Sequence, residues 1–410
     1  MRLWRVPYPK FGQGPGLERV GTIADKLGID LACFGERGAV IVGSNGKGST
    51  AAMTAALLAH DGAPVGLFTS PHLFTLNERF RIGDEDISDG ELEHHWDRVA
   101  AATEVCGKTV ELGGFEFLFL IAADWFAARN CAHTVWEAGI GGRLDPVRLI
   151  KARWLALTSL DLEHTALLGA TLEEIARDKI EAAPEGATLF IGESCLPVGD
   201  AIAEHCGSRG VTSLFIKNSN LGAIDAPMSG EYQRVNAALA VFLTKHLYLQ
   251  LTRAQIRTAF AAVRWPGRLE AINDNPLIVI DVGHTPAGIA AARAGFNAMR
   301  DGHDAVLVCG ASTDKNVDAL IAALAPGFST IICAAARHKG APVAEIAAAA
   351  HAANPEAELV IADSVSEARK LALAKASSGD AAIYVAGGLF LAAEFKWVHL
   401  GRDPALLAFF

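Results

Sequence analysis

Residues 39–50 read AVIVGSNGKGST, and the fold turns on how they are understood. AVIVG (39–43) suits a fully buried strand, and STAAMTAALLAHDG, which follows, has a helical period. Between them lies a glycine-rich turn carrying one lysine. In that setting glycines let backbone N–H groups turn inward onto a phosphate, and the helix N-terminus adds partial positive charge. Lys47 would reach the β- and γ-phosphates, and Ser49 or Thr50 would assist at Mg²⁺. The spelling departs from the usual phosphate loop, because the first glycine comes late and Gly48, not Ser or Thr, follows the lysine. A plain strand-to-helix turn fits the same glycines, but it gives a lysine set between two of them no purpose.

Working outward, short β-rich runs alternate with Ala/Leu-rich segments. APVGLFTS (63–70), HTVWEAG (133–139), RWLALTSL (153–160) and ATLFIGE (187–193) read as strands, with helical patterns at 89–102, 115–129, 171–178 and 231–249. Such alternation implies a parallel sheet covered on both faces. Pro266 and Gly267 interrupt the pattern, and Asn273 to Pro276 read as a turn. A hinge at about 264–268 therefore divides the chain into 1–264 and 265–410. The second part is a smaller α/β unit with strands LIVID, AVLVCG, TIICAA, ELVIAD and AAIYVAG, and helices at 286–299, 315–324, 342–353 and 364–376. Ligands of such sheets bind outside the carboxyl ends of the strands, above all where two domains face each other.

The bulk properties agree. A chain of 410 residues exceeds one compact core, and 51% hydrophobic with 20% charged residues is the composition of a packed globular protein. A net charge of −10 without a basic run argues against duplex nucleic acid and anionic membrane as partners. The most apolar stretch, FEFLFLIAADWFAA, is too short to span a bilayer and contains Glu116 and Asp124. MRLWRVPYPK has no signal-like apolar core. Seven scattered cysteines without a CxxC pair read as reduced, buried thiols, so a cytoplasmic location is expected. No GxSxG nucleophile pattern or zinc-type Cys/His spacing occurs, and EHHWD (93–97) reads as an exposed helix face.

Five further motifs matter: SPHLFTLNERFR (70–81), FE (115–116), EAGIGGRLD (137–145), the run from His164 to Lys179, and the group YQRVNAALA, RWPGRLE and IDVGHTPAG. Together with GSNGKGS they resemble the dihydrofolate synthase/folylpolyglutamate synthase family of the Mur ligase superfamily. The resemblance extends over nearly the whole chain. It implies a large P-loop-type ATPase domain with a parallel sheet, followed by a smaller Rossmann-like α/β domain.

The resemblance also implies roles for residues. Asn45, Gly46, Lys47, Gly48, Ser49 and Thr50 would cradle ATP, with Asn236 at the base, Arg268 at the phosphates and Asp281 at the ribose. Ser70, Glu137, His164 and a carbamylated Lys179 would hold Mg²⁺, two ions in all. Phe115, Glu116, Arg79 and Asp145 would face a pterin acid, with Arg81 beside them, and His284 the incoming amino acid. Lys47, Lys179, His164 and His284 form the implied catalytic set.

The implied reaction belongs to folate biosynthesis and one-carbon metabolism. The carboxylate of dihydropteroate or tetrahydrofolate attacks ATP, and L-glutamate captures the acyl phosphate as an amide, in a monomer. The substrate side departs from the family pattern at Pro146 to Arg148, Glu181, Gly283 and Thr285, and beside His164 Glu163 stands where the family has Asp. Two other readings stay open: a ligase of the same fold acting on a non-folate acid, and a nucleotide-binding protein without catalysis.

Overall fold

The computed structural model describes residues 4–107, 111–247, 250–407 and 409. The first sheet contains eight strands: β1 (Gly38–Val42), β2 (Val65–Phe68), β3 (Phe80–Ile82), β4 (Glu85–Asp86), β5 (His133–Glu137), β6 (Trp154–Leu157), β7 (Thr188–Gly192) and β8 (Thr212–Ile216). Their order is β4-β3-β2-β5-β1-β6-β7-β8. β2, β5, β1, β6, β7 and β8 run parallel, whereas β3 pairs antiparallel with both β2 and β4. Alternation along β1 divides the core. Val40 and Val42 face one hydrophobic cluster, which includes helix Gly114–Ala128, while Ala39 and Ile41 face another formed by helices Lys47–Leu58 and Tyr232–Leu247.

The second sheet contains β9 (Glu270–Asp274), β10 (Leu277–Ile280), β11 (Ala305–Cys309), β12 (Thr330–Cys333), β13 (Glu358–Ile361) and β14 (Ala382–Ala386), in the order β13-β12-β11-β14-β10-β9. Only β9 runs against its neighbour. Helices Pro286–Met299, Val317–Leu324, Val343–Ala353, Val365–Gly379 and Leu389–His399 accompany it.

The all-parallel expectation for the first sheet thus needs correction at the β3–β4 edge. Those strands are three and two residues long, too short to show a period. The Asn273–Pro276 turn is real but tighter than expected, since β9 runs into it as far as Asp274 and pairs across it with Leu277. Positions 248 and 249 of the expected 231–249 helix lie outside the described residues, and the helix is assigned to Tyr232–Leu247. EHHWD is not an exposed face throughout. His95 is buried and its Nδ1 lies 2.6 Å from Asp124 Oδ2, which Arg98 Nε also approaches at 2.8 Å. The thiols are free, but Cys33 is exposed rather than buried. Among the described residues no helix is long and apolar enough to cross a membrane.

Candidate active site

Parallel pairing brings the site together. Ile41 lies beside Glu137 and Val42 beside Leu157, so the loop after β1, the last residue of β5 and the exit from β6 emerge side by side. Gly46 adopts φ 85°, a left-handed conformation natural to glycine, immediately before helix Lys47–Leu58. A Cβ on Gly48 would lie 2.9 Å from Trp265 Cζ2 and 3.4 Å from Glu137 Oε2. Close approach to Glu137 and Trp265 therefore explains why glycine follows the lysine.

The loop is pinned from below. Asn45 N–H donates to Ser159 Oγ at 2.8 Å, and Asn45 O accepts from Thr158 Oγ1 at 2.6 Å and Ser159 Oγ at 2.9 Å. Asp161 N–H donates to Ser44 Oγ at 3.0 Å. Asn45 Nδ2 also donates to Thr285 Oγ1 at 3.1 Å, joining the loop to the second lobe. Thr285 in turn caps helix Pro286–Met299 by accepting from Gly288 N–H. Lys47 Nζ donates to Gly43 O (2.9 Å) and Ser44 O (3.1 Å) across the loop. Asn236 is buried, donates to Gln233 Oε1 and lies where a Cβ on Gly46 would strike it.

Glu137 is 4% exposed and accepts from Ser70 N–H at 2.8 Å. Burial raises its pKa, opposed by Lys47, the Ser70 N–H, Arg268 and Arg79. Lys47, and Arg268 from the second lobe, are thus among the charges that favour the ionised Glu137. Asp281 sits at the exit of β10 and accepts from Leu269 N–H and Gly283 N–H. Its pKa is raised by burial and lowered in part by Arg268.

Glu163 Oε1 receives Lys179 Nζ at 3.0 Å, and Lys179, like Lys47, donates to Gly43 O, at 2.9 Å. Against the penalty of burial, Lys47 and then Lys179 draw the Glu163 carboxyl down to about 2. His164 follows, half-buried and with φ 46°. Its pKa is lowered, chiefly by burial.

The residues meant for the acid behave differently. Glu116 is bound by Arg19 through both oxygens (2.7 and 2.8 Å) and also accepts from Gly113 N–H at 2.9 Å. Asp145 is buried and accepts from Gly139, Ile140 and Val147 N–H groups, which folds its own loop. Arg79 is buried, donates to His72 Nδ1 at 3.0 Å and is brought to about 10 by burial. Arg81 pairs with Asp86 at the sheet edge. Phe115 is half-buried and packs on Gly139.

Two outcomes follow. Glu116→Ala would leave Arg19 buried without its carboxylate. Chemical denaturation should show a loss of about 3–5 kcal/mol, which a role confined to ligand binding would not produce. At His284, burial, then Lys315 and Arg268, bring the imidazolium to about 4. Between that value and the ordinary 6.5 the unfolded chain binds more protons, so this group adds stability as pH rises through the window. The slope of stability against pH from 4 to 6.5 should be smaller in His284→Gln; an equal slope would assign the effect elsewhere.

The donor set suits Mg²⁺. Thr50 Oγ1 is fully buried and has no hydrogen-bond partner among the described residues, and Glu137 supplies a hard carboxylate oxygen 3.4 Å from where a Cβ on Gly48 would lie. Among the described residues no group of three or more His, Cys, Asp and Glu forms a cage. Mg²⁺ commonly takes one or two carboxylates and completes its octahedron with phosphate and water.

Several of these contacts were missed from the sequence: Thr158, Ser159, Asp161, Gln233 and Trp265. The first three directly follow β6, next to β1, and the strand-end rule applied to LTSLD would have found them.

Residues 267–388 match the family model described as "Mur ligase, glutamate ligase domain". With a nucleotide-type loop on the first sheet, this defines a ligase fold of the Mur class. Folylpolyglutamate synthase from Lacticaseibacillus casei is 30% identical over 390 residues, covering 88% of this chain and 89% of that one. The solved structure of Mycobacterium tuberculosis folylpolyglutamate synthase complexed with ADP superposes with a TM-score of 0.87 at 26% identity, covering 96% of each chain. A bifunctional folylpolyglutamate synthase/dihydrofolate synthase with Mn, AMPPNP and L-glutamate bound gives 0.81 at 26% identity, covering 95% of each. The chain belongs to the dihydrofolate synthase/folylpolyglutamate synthase family. It spans about half the length (50%) of a Halobacterium salinarum relative named probable bifunctional folylpolyglutamate synthase/dihydropteroate synthase, at 31% identity over 94% of this chain.

Proposed function

We propose that this chain is an ATP-dependent carboxylate–amine ligase that joins L-glutamate to the carboxylate of dihydropteroate or a reduced folate. The observation carrying this is the glycine turn that presents Lys47, with Glu137 Oε2 3.4 Å from where a Cβ on Gly48 would lie and Asn45 Nδ2 bonded at 3.1 Å to Thr285 of the second lobe. Residues 1–264 would bind ATP and the acid, and 265–410 the amine. A carboxylate oxygen of the acid attacks the γ-phosphorus and ADP leaves. The amine then attacks the acyl carbon, the C–O bond breaks and phosphate departs with that oxygen. Lys47 and Arg268 offset charge on the transferring group. Glu137, Ser70 and the Ser49 and Thr50 hydroxyls would hold Mg²⁺, with His164 and Lys179 as ligands for a second ion if Lys179 carries a carbamate. When bound, the metal supplies neutralisation of phosphate charge.

One observation favours a second reading, a ligase of the same type for a non-pterin acid. The Glu116 and Asp145 carboxylates are already occupied by Arg19 and by backbone N–H groups. ADP release should therefore be measured with glutamate plus dihydropteroate or tetrahydrofolate, and then plus a panel of other acids. Turnover with folates supports the first reading; turnover with other acids alone selects the second. ATP binding without ADP release under any condition would leave only a non-catalytic protein.

A further inference from the structure

We infer that Phe409 is a positioning residue, which fixes His72 and, through the His72–Arg79 pair and the loop at 70–74, the setting of Glu137. The loop leaves β2 in the first sheet, and its Ser70 N–H reaches the Glu137 carboxylate at 2.8 Å. Two residues on, its side chains enter the second lobe. Leu73 is buried in the cluster of Ile280, Val282, Val308 and Leu391, and the Phe74 ring lies 5.1 Å from that of Trp397. Glu78 fixes the far end of the loop by accepting from the N–H groups of Leu73 and Phe74.

His72 is different, because it faces both ways. Its Nδ1 accepts from Arg79 Nε at 3.0 Å, and Arg79 O accepts from Thr69 N–H at 3.1 Å, next to the Ser70 N–H that binds Glu137. Its ring lies parallel to that of Phe409, with centroids 6.1 Å apart and an interplanar angle of 2°. Phe409 is held in turn by Phe390 at 4.8 Å and His338 at 5.2 Å, both on second-lobe loops or helices. Leu73 and Phe74 anchor the loop, and the Phe409–His72 contact continues through Arg79 to Thr69, the neighbour of Ser70. A shift of the second lobe would thereby reach the carboxylate without Phe409 touching any ligand.

The test uses the full chain with Phe409→Ala, Phe409→Tyr, His72→Ala and the Phe409→Ala/His72→Ala double variant. Hydrogen exchange of residues 70–75 is followed by mass spectrometry, beside kcat and KM. Phe409→Ala should speed exchange in that segment about 5-fold, leave β1 and β5 unchanged and lower kcat by a similar factor, the size of one aromatic contact. Phe409→Tyr, which keeps the ring, should match the parent protein. The double variant should be no worse than the worse single one, as for residues acting along one route. Unchanged exchange at 70–75 in Phe409→Ala, loss of protection throughout the molecule, or additive effects in the double variant would each overturn the inference. The kinetic arm rests on the ligase reading and the exchange arm does not, so failure of one is distinguishable from failure of the other.

Discussion

Lys47→Ala should lower kcat by at least about 10³-fold, the scale at which removing a charge from a transferring phosphoryl group is felt. The ammonium lies across the loop, donating to the Gly43 and Ser44 carbonyls, and its charge favours the ionised forms of both Glu137 and Glu163. Its loss removes a cation that favours the ionised form of both groups. The fold should survive, because Asn45, Thr158 and Ser159 hold the loop independently of the lysine. Steady-state assay with saturating ATP, beside a melting curve, checks this. Activity within a few-fold of the parent would remove the loop from the phosphate site.

Glu137→Gln should separate activity from stability. Turnover is expected to drop by about 10²-fold or more, since an amide replaces the carboxylate proposed to hold Mg²⁺. The apo-protein, however, should melt higher at pH 7. Burial raises the Glu137 pKa in the folded state, so above the ordinary carboxylate value the folded chain binds more protons than the unfolded one. Stability attributable to this group is then lost as pH rises through that window. Glutamine has no charge to desolvate, so the gain should be present at pH 7 and vanish near pH 4. A variant less stable than the parent at pH 7 would mean that Lys47, Arg268 and Arg79 need the charge more than burial penalises it. Trade-offs of this kind are common where a site stores an unfavourable charge for function.

Much of this was readable in the sequence because it is local. A strand, a glycine turn and a helix within residues 39–58 specify one another, and apolar runs marked the long strands of both sheets. What escaped were pairings over distance. Arg19 lies 97 residues from Glu116 and His95 lies 29 from Asp124. Nothing within EHHWD or the FE pair announces a partner that far away, so His95 read as exposed and Glu116 as a ligand group. The short strands β3 and β4 escaped for a different reason, having too few residues to show alternation. The departures at Arg148 and Glu181 acquire meaning only in space, where they face each other at 3.5 Å and Arg209 joins Glu181 at 3.1 Å. Two substitutions that looked independent are one ion-pair cluster behind the Lys179 helix.

The most direct measurement of the proposed chemistry follows oxygen. The acid substrate is prepared with ¹⁸O in its carboxylate, turned over with ATP and the amine, and the inorganic phosphate is analysed by mass spectrometry. Attack by the carboxylate on the γ-phosphorus, followed by amine capture, must carry one labelled oxygen into each phosphate released. Amide product accompanied by unlabelled phosphate would contradict activation of the acid by phosphoryl transfer in this cleft.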